Sequence, residues 1–146
     1  MDHVDKIIAQ WRAERPDLDV STMGPIGRFT LTAKQMKAAM ARTFAAHGLS
    51  FAGADVLATL RRSGHPYALS AGDLMASMVI SSGTVTNRID QLEKAGLVCR
   101  NSDPIDARRA IVCLTPEGFK RIEQAISDHL ATQQGLLSGM SVEEIA

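Results

Sequence analysis

The stretch Thr84–Val98 reads TVTNRIDQLEKAGLV, and Asp106–Thr115 follows as DARRAIVCLT. The first is periodic. Val85, Ile89 and Leu92 fall on one helical face, Gly96 stands where a helix stops, and Thr84, Asn87, Arg88 and Gln91 face the other way. In the second the period changes. Leu97–Arg100 and Ala110–Leu114 are β-prone, and the NSDPIDA segment between them has turn chemistry, so a hairpin is expected with two adjacent arginines near its tip.

Working outward, the chain is helical on both sides. Val4, Ile7, Ile8 and Trp11 are spaced as a first helix over residues 2–14, broken at Pro16. Leu31, Met36, Met40 and Phe44 mark a long helix after Gly24 and Pro25, closed by Gly48. Ser50 is positioned to cap a third helix through Phe51, Leu57 and Leu60, which ends at the Ser63–Pro66 turn. Ser70 caps a short fourth helix, and Ser81 or Ser82 the fifth. Thr115, Pro116 and Glu117 open a last helix whose apolar stripe is Phe119, Ile122, Ile126, Leu130 and Leu137, suited to a core or to a partner-helix seam. Ser141 and Glu144 form a further capping box, from which a continuation beyond Ala146 is expected.

Two short helices in tandem followed by a hairpin make a winged helix-turn-helix. The recognition position falls to the helix over 82–95. Arg with Asn or Gln suits bidentate contact to purine edges in the major groove, and Ser or Thr suits phosphates. Arg108 and Arg109 at a wing tip suit the minor groove, where negative potential concentrates. With 16 basic and 16 acidic residues the chain has no global basic signature, so any affinity for DNA is local.

Other function classes leave no trace. No apolar run approaches the ~18 residues that span a bilayer, and the N-terminus has no export signal. A cytoplasmic protein is expected. His3, His47, His65 and His129 have no metal-ligand spacing, and nucleophile elbow, P-loop and GxGxxG are absent, so neither metal, cofactor nor catalysis is expected. Cys99 and Cys113 are too few for a disulfide framework and would be reduced in a cytosol. On paired strands they would nevertheless stand opposite each other, at a spacing compatible with a disulfide.

The run SSGTVTNRIDQLEKAGLVCRNSDPIDARRAIVCLTPEGF (Ser81–Phe119) resembles the MarR family of bacterial transcriptional regulators, and the similarity extends over about 25–140. The resemblance implies a mainly α, winged helix-turn-helix protein with flanking N- and C-terminal dimerisation helices. One MarR-type domain would comprise 1–48 on the dimerisation and ligand side, 49–115 as the winged element and 116–146 as the C-terminal dimerisation helix. It also implies a homodimer that straddles a pseudo-palindromic operator in double-stranded DNA. Ser82, Thr84, Asn87 and Arg88 fall on recognition-helix contacts, Asp106 on the acid that braces the wing arginine, and Arg108 on the minor-groove arginine. Ala107 departs from relatives that carry a second arginine, and Arg109 compensates.

A narrower likeness joins Trp11, the ERPDLD segment (Glu14–Asp19), Asp55, Arg62 and Arg88 to the urate-responsive subgroup of the family, which has an extra N-terminal helix. It implies a ligand site made by Trp11, Asp55, Arg62 and Arg88. Two arginines and an indole suit a small aromatic or heterocyclic acid, such as a urate-like anion. Arg88 would belong to both the DNA and ligand surfaces, which makes a repressor released by its effector. Two alternatives accompany this reading: a thiol-responsive regulator using Cys99 and Cys113, and a winged-helix protein-interaction module that never reads DNA.

Overall fold

The structure, a computed structural model, describes residues 2–78 and 85–145. The order of elements is α1 (His3–Glu14), α2 (Met23–Ala46), α3 (Phe51–Arg62), β1 (Ala68–Ser70), α4 (Ala71–Ser77), α5 (Val85–Lys94), β2 (Val98–Ser102), β3 (Ala110–Leu114), α6 (Pro116–Leu136) and α7 (Val142–Ile145). They form two compact units, Met1–Ala39 and Met40–Ala146.

In the first unit, Asp2 and Asp5 make a reciprocal capping box at the start of α1. Arg28 of α2 reaches back to both carboxylates, at 2.8 and 2.6 Å. Val4 is buried, and a Cβ on Gly27 would lie 3.1 Å from its methyl, so the small residue lets the two helices approach. Gly24 and Pro25 fall inside the first turn of α2 rather than before it, where proline's missing N–H has no intrahelical partner to lose.

The second unit carries the core: Leu57, Leu60, Leu74, Leu97, Val112 and Ile122 are fully buried, with Val85, Ile89 and Leu92 closing it from α5. α3 lies at the centre, against α4, α5, α6 and β3. Its cap is Ser50, whose hydroxyl accepts the Gly53 N–H. Ser70 does the same for Asp73 and Thr115 for Gly118. The expected cap at Ser81 or Ser82 lies outside the described residues. Gly48 and Gly96 both have positive φ and end their helices in Schellman motifs: Leu49 N–H bonds Phe44 O, and Leu97 N–H bonds Leu92 O, each at 2.9–3.0 Å.

The expected hairpin is β2–β3, with Cys99 opposite Cys113 and Ser102 opposite Ala110. A third strand, β1, was not legible in the sequence. It pairs antiparallel with β3 to give the order β1-β3-β2. Three residues leading straight into a helix cap carry too little alternation to be read as a strand. The cysteines, expected as reduced strand residues, are joined by a disulfide with Cα atoms 5.2 Å apart. The apolar stripe of α6 also divides differently. Ile122 is buried and Ile126 half-buried, but Leu130 is 51% exposed, and the inward positions continue as His129 and Gln133.

At the head of α6, a Cβ on Gly118 would lie 1.9 Å from the Leu97 carbonyl oxygen. That atom is backbone and cannot rotate away. Gly118→Ala is expected to lower the unfolding free energy by about 3 kcal/mol. Gly135→Ala, in the same helix with open space around it, should stabilise by up to about 1 kcal/mol. Urea unfolding of the two variants measures the contrast, and equal midpoints would contradict the contact.

Candidate DNA interface and effector cavity

The recognition position is taken by α5. Val85, Ile89 and Leu92 are buried, and Thr86, Asn87 and Gln91 are exposed. Ser82 and Thr84 lie outside the described residues. Arg88 is half-buried: its Nη1 lies 3.4 Å from the Ser50 hydroxyl, and its buried Nε has no hydrogen-bond partner among the described residues. It lines a small cavity of 190 Å³ with Gly48, Ser50, Gly53, Gln91 and Leu97, at the N-terminus of α3.

α5 is tied to the wing by Arg100 of β2, whose guanidinium pairs with Asp90 and, at 3.7 Å, with Glu93. Beyond the strands the tip is held by its own main chain. Asp103 N–H donates to Arg109 O and Arg109 N–H to Asp106 O, at 3.0 and 2.9 Å. The Asp103 carboxylate accepts from Ile105 N–H at 2.8 Å, and the Asp106 carboxylate from Arg108 N–H at 3.0 Å. Asp106 therefore braces Arg108 through the backbone and not through the guanidinium. The side-chain pairing falls on Arg109, which lies 3.6 Å from Asp73 of α4 and 3.9 Å from Asp103. Arg108 has no ion-pair partner among the described residues.

The proposed ligand residues are not all brought together. Asp55 and Arg62 line one cavity of 530 Å³, walled mainly by Phe44, Phe51, Ala54, Ala58, Ile122 and Ile126. Volumes of this order are typical of small-molecule sites. Arg88 lines the other cavity. It lies by Ser50 at the start of α3 whereas Arg62 is at the end, about 18 Å of helix away, so one small ligand cannot bracket both in this arrangement. Trp11, in the first unit, is 43% exposed.

Three features of the larger cavity escaped the sequence reading. Arg62 Nη1 donates to the buried Thr59 hydroxyl at 3.0 Å, while its Nη2 donates to the carbonyl of Ser77, the last residue of α4. Arg61 also lines the cavity, with its Nε bonded to Glu123 at 2.6 Å and its guanidinium over the rings of Tyr67 and Phe119. His129 stacks on Phe44 with centroids 4.6 Å apart, and its Nδ1 is buried with no hydrogen-bond partner among the described residues. Burial pushes its imidazole below the usual histidine range, so near neutrality the ring offers one donor and one acceptor. A signal for His129 existed in the sequence. Ile122, Ile126, His129 and Gln133 are spaced by four, three and four, and the histidine breaks that stripe only chemically.

Among the described residues no helix is long and apolar enough to cross a membrane, and no three His, Cys, Asp or Glu side chains are grouped to hold a metal ion.

Comparison with known proteins accounts for the architecture. A MarR family model matches residues 47–109. The chain is 39% identical over 141 residues to the HTH-type transcriptional regulator PecS of Dickeya dadantii, which covers 97% of this chain and 85% of that protein. It is 30% identical over 111 residues to the HTH-type transcriptional repressor YetL of Bacillus subtilis, covering 76% of this chain and 66% of that one. BpsR of Bordetella bronchiseptica, solved in a study of how 6-hydroxynicotinic acid regulates its DNA binding, superposes with a TM-score of 0.72 at 26% identity over 81% of this chain and 82% of that one. A mutant MarR from E. coli complexed with operator DNA shares the fold, with a TM-score of 0.74 at 21% identity over 88% of this chain and 91% of that one. Its relatives are transcriptional regulators rather than enzymes, and on the strength of the near full-length identity to PecS the chain belongs to the MarR family of DNA-binding transcriptional regulators.

Proposed function

We propose that the protein is a homodimeric repressor, released from a pseudo-palindromic operator by a small aromatic or heterocyclic acid. Asn87 and Gln91 of α5 read base edges, together with Ser82, Thr84 and Arg88 of the same stretch. Arg108 enters the minor groove, and Arg109, held by Asp73 and Asp103, fixes the tip. Arg108→Ala is expected to weaken binding to all sequences alike and to reduce the slope of log affinity against log salt by about one, the signature of one lost phosphate neutralisation. Fluorescence anisotropy at several salt concentrations measures this. An unchanged slope would remove Arg108 from the interface.

The observation that carries effector control is the partner of Arg62. Its guanidinium lines the apolar cavity and at the same time holds the carbonyl at the end of α4, next in sequence to the stretch leading into α5. An anion in the cavity offers that guanidinium a charged acceptor in place of a neutral one. Ser77 would then be released, and the end of α4 would be free to shift. The apolar walls and the neutral His129 suit a flat ring, as does the regulation of BpsR by 6-hydroxynicotinic acid. A urate-like anion has the same chemistry.

In operator-release titrations with urate, salicylate and 6-hydroxynicotinate, at least one acid should dissociate the parent complex. Arg62→Ala should raise the half-maximal concentration at least tenfold, the scale of one charge-assisted hydrogen bond. Identical release curves for the parent and Arg62→Ala would place the effector elsewhere.

The disulfide favours a second reading, thiol control. Two thiols on facing strands lose two protons and two electrons to an oxidant such as glutathione disulfide, locking the base of the wing. Dithiothreitol is expected to change operator affinity at least threefold in the parent and not in Cys113→Ser. Equal affinities before and after reduction would make the bond a structural staple alone.

A further inference from the structure

Among the described residues no large hydrophobic side chain is more exposed than the one at the wing tip. Ile105 is 97% exposed, between Pro104 and the acid that holds Arg108. A single exposed aliphatic residue on a surface is ordinary, but this one differs in how it is held. Its N–H is bound by the Asp103 carboxylate, which is itself only 12% exposed and accepts also from Asp106 N–H at 3.4 Å. The two ends of the loop are closed by the Asp103–Arg109 and Arg109–Asp106 main-chain bonds. Arg109 stitches the loop to α4, and the disulfide closes the strands three residue pairs below the last rung. The tip is therefore ordered before it meets anything, and placing Ile105 against a partner costs little conformational freedom.

We propose that Ile105 is a DNA-contacting residue, an apolar element that enters the minor groove beside Arg108 and packs on the deoxyribose walls. This rests on the wing reading of Arg108 given above. The pairing of the two side chains has a physical logic. The groove combines a strong negative potential with walls made of sugar carbons, and minor-groove proteins place cations and aliphatic wedges there together. Arg108 satisfies the first property and Ile105 the second. Two residues of tightly turned loop, Asp106 and Ala107, separate them, so both can occupy one groove segment. The occupant is duplex DNA rather than a protein partner because the tip is otherwise charged, and its arginine is the cation without an ion-pair partner among the described residues.

The test exploits a difference in kind between the two contacts. An apolar contact releases no counterions, so its loss lowers affinity at every salt concentration without altering the slope. Ile105→Ser in the full-length chain is expected to weaken operator binding about tenfold with an unchanged slope, since burial of an aliphatic side chain is worth at least that factor. Ile105→Leu should stay within about twofold of the parent. Because the side chain touches solvent alone, the unfolding midpoint of both variants should match the parent. Arg108→Ala, titrated alongside, should alter the slope. Should Ile105→Ser bind like the parent while Arg108→Ala loses affinity and slope, the wing is on DNA but Ile105 is not a contact, and a protein partner for the tip becomes the reading. A changed slope in Ile105→Ser would also overturn the proposal, by showing that the substitution acts through the arginine. Parent-like binding by both variants would remove the wing from DNA altogether.

Discussion

The fit of the Thr115–Gly118 turn onto Gly96 and Leu97 is the constraint on which the DNA-binding unit depends. The Thr115 hydroxyl donates to Gly96 O at 2.7 Å and accepts from Gly118 N–H at 3.0 Å, while Thr115 N–H donates to Leu97 O at 3.2 Å. A single side chain thus caps α6 and receives the end of α5. The same two residues, Gly96 and Leu97, complete the Schellman motif that stops α5 and lead directly into the strand that becomes the wing. Recognition helix, wing and long helix meet over four residues, and the meeting is dimensioned by the missing Cβ of Gly118. Movement of α6 at this point is therefore movement of α5, because no side chain lies between them to absorb it.

The balance of charge acquires a meaning in this frame. A chain with no net charge binds DNA by choosing which cations remain available. Arg28, Arg61, Arg100, Arg109 and Arg121 all face carboxylates within 4 Å. Such exposed pairs contribute little stability each, but they fix where guanidinium groups point and neutralise them. Arg100 joins α5 to the wing and Arg109 joins the wing to α4, so these pairs set the distance between the two DNA-reading elements. Long-range attraction to phosphate is weak in such a protein, and recognition falls to short-range geometry. That is also the setting in which an apolar tip residue has consequence.

The sequence made the elements legible wherever the signal was local. Ser50, Ser70 and Thr115 cap the helices they were expected to cap, and Gly48 and Gly96 end theirs, because a cap depends on three or four consecutive residues. The hairpin and the Cys99–Cys113 register followed from turn chemistry between two β-prone runs. What stayed hidden needed tertiary knowledge. β1 is a strand only because β3 lies beside it. Leu130 matches the apolar stripe of α6 in type, but its exposure depends on which neighbours the helix meets. Arg62 and Arg88 were legible as a pair through resemblance, and are separated by the length of α3. The link from Arg62 to Ser77 had no sequence signal, since a carbonyl acceptor is present at every residue.

That link also bears on how large the influence of the proposed effector can be. A ligand shifts a two-state equilibrium only by the difference in its affinity for the two states. Exchange of a neutral carbonyl for a carboxylate as the partner of Arg62 changes one hydrogen bond from neutral-acceptor to ion-paired, a difference of order 1–2 kcal/mol. Coupling of that size corresponds to roughly a five- to thirty-fold change in DNA affinity per subunit. In a symmetric dimer with both cavities filled, the two contributions add in free energy and multiply in affinity, to between about 25-fold and 900-fold. On the proposed function, one guanidinium per subunit would then suffice for release of the operator, with no rearrangement of the core built on Leu57, Leu60 and Ile122.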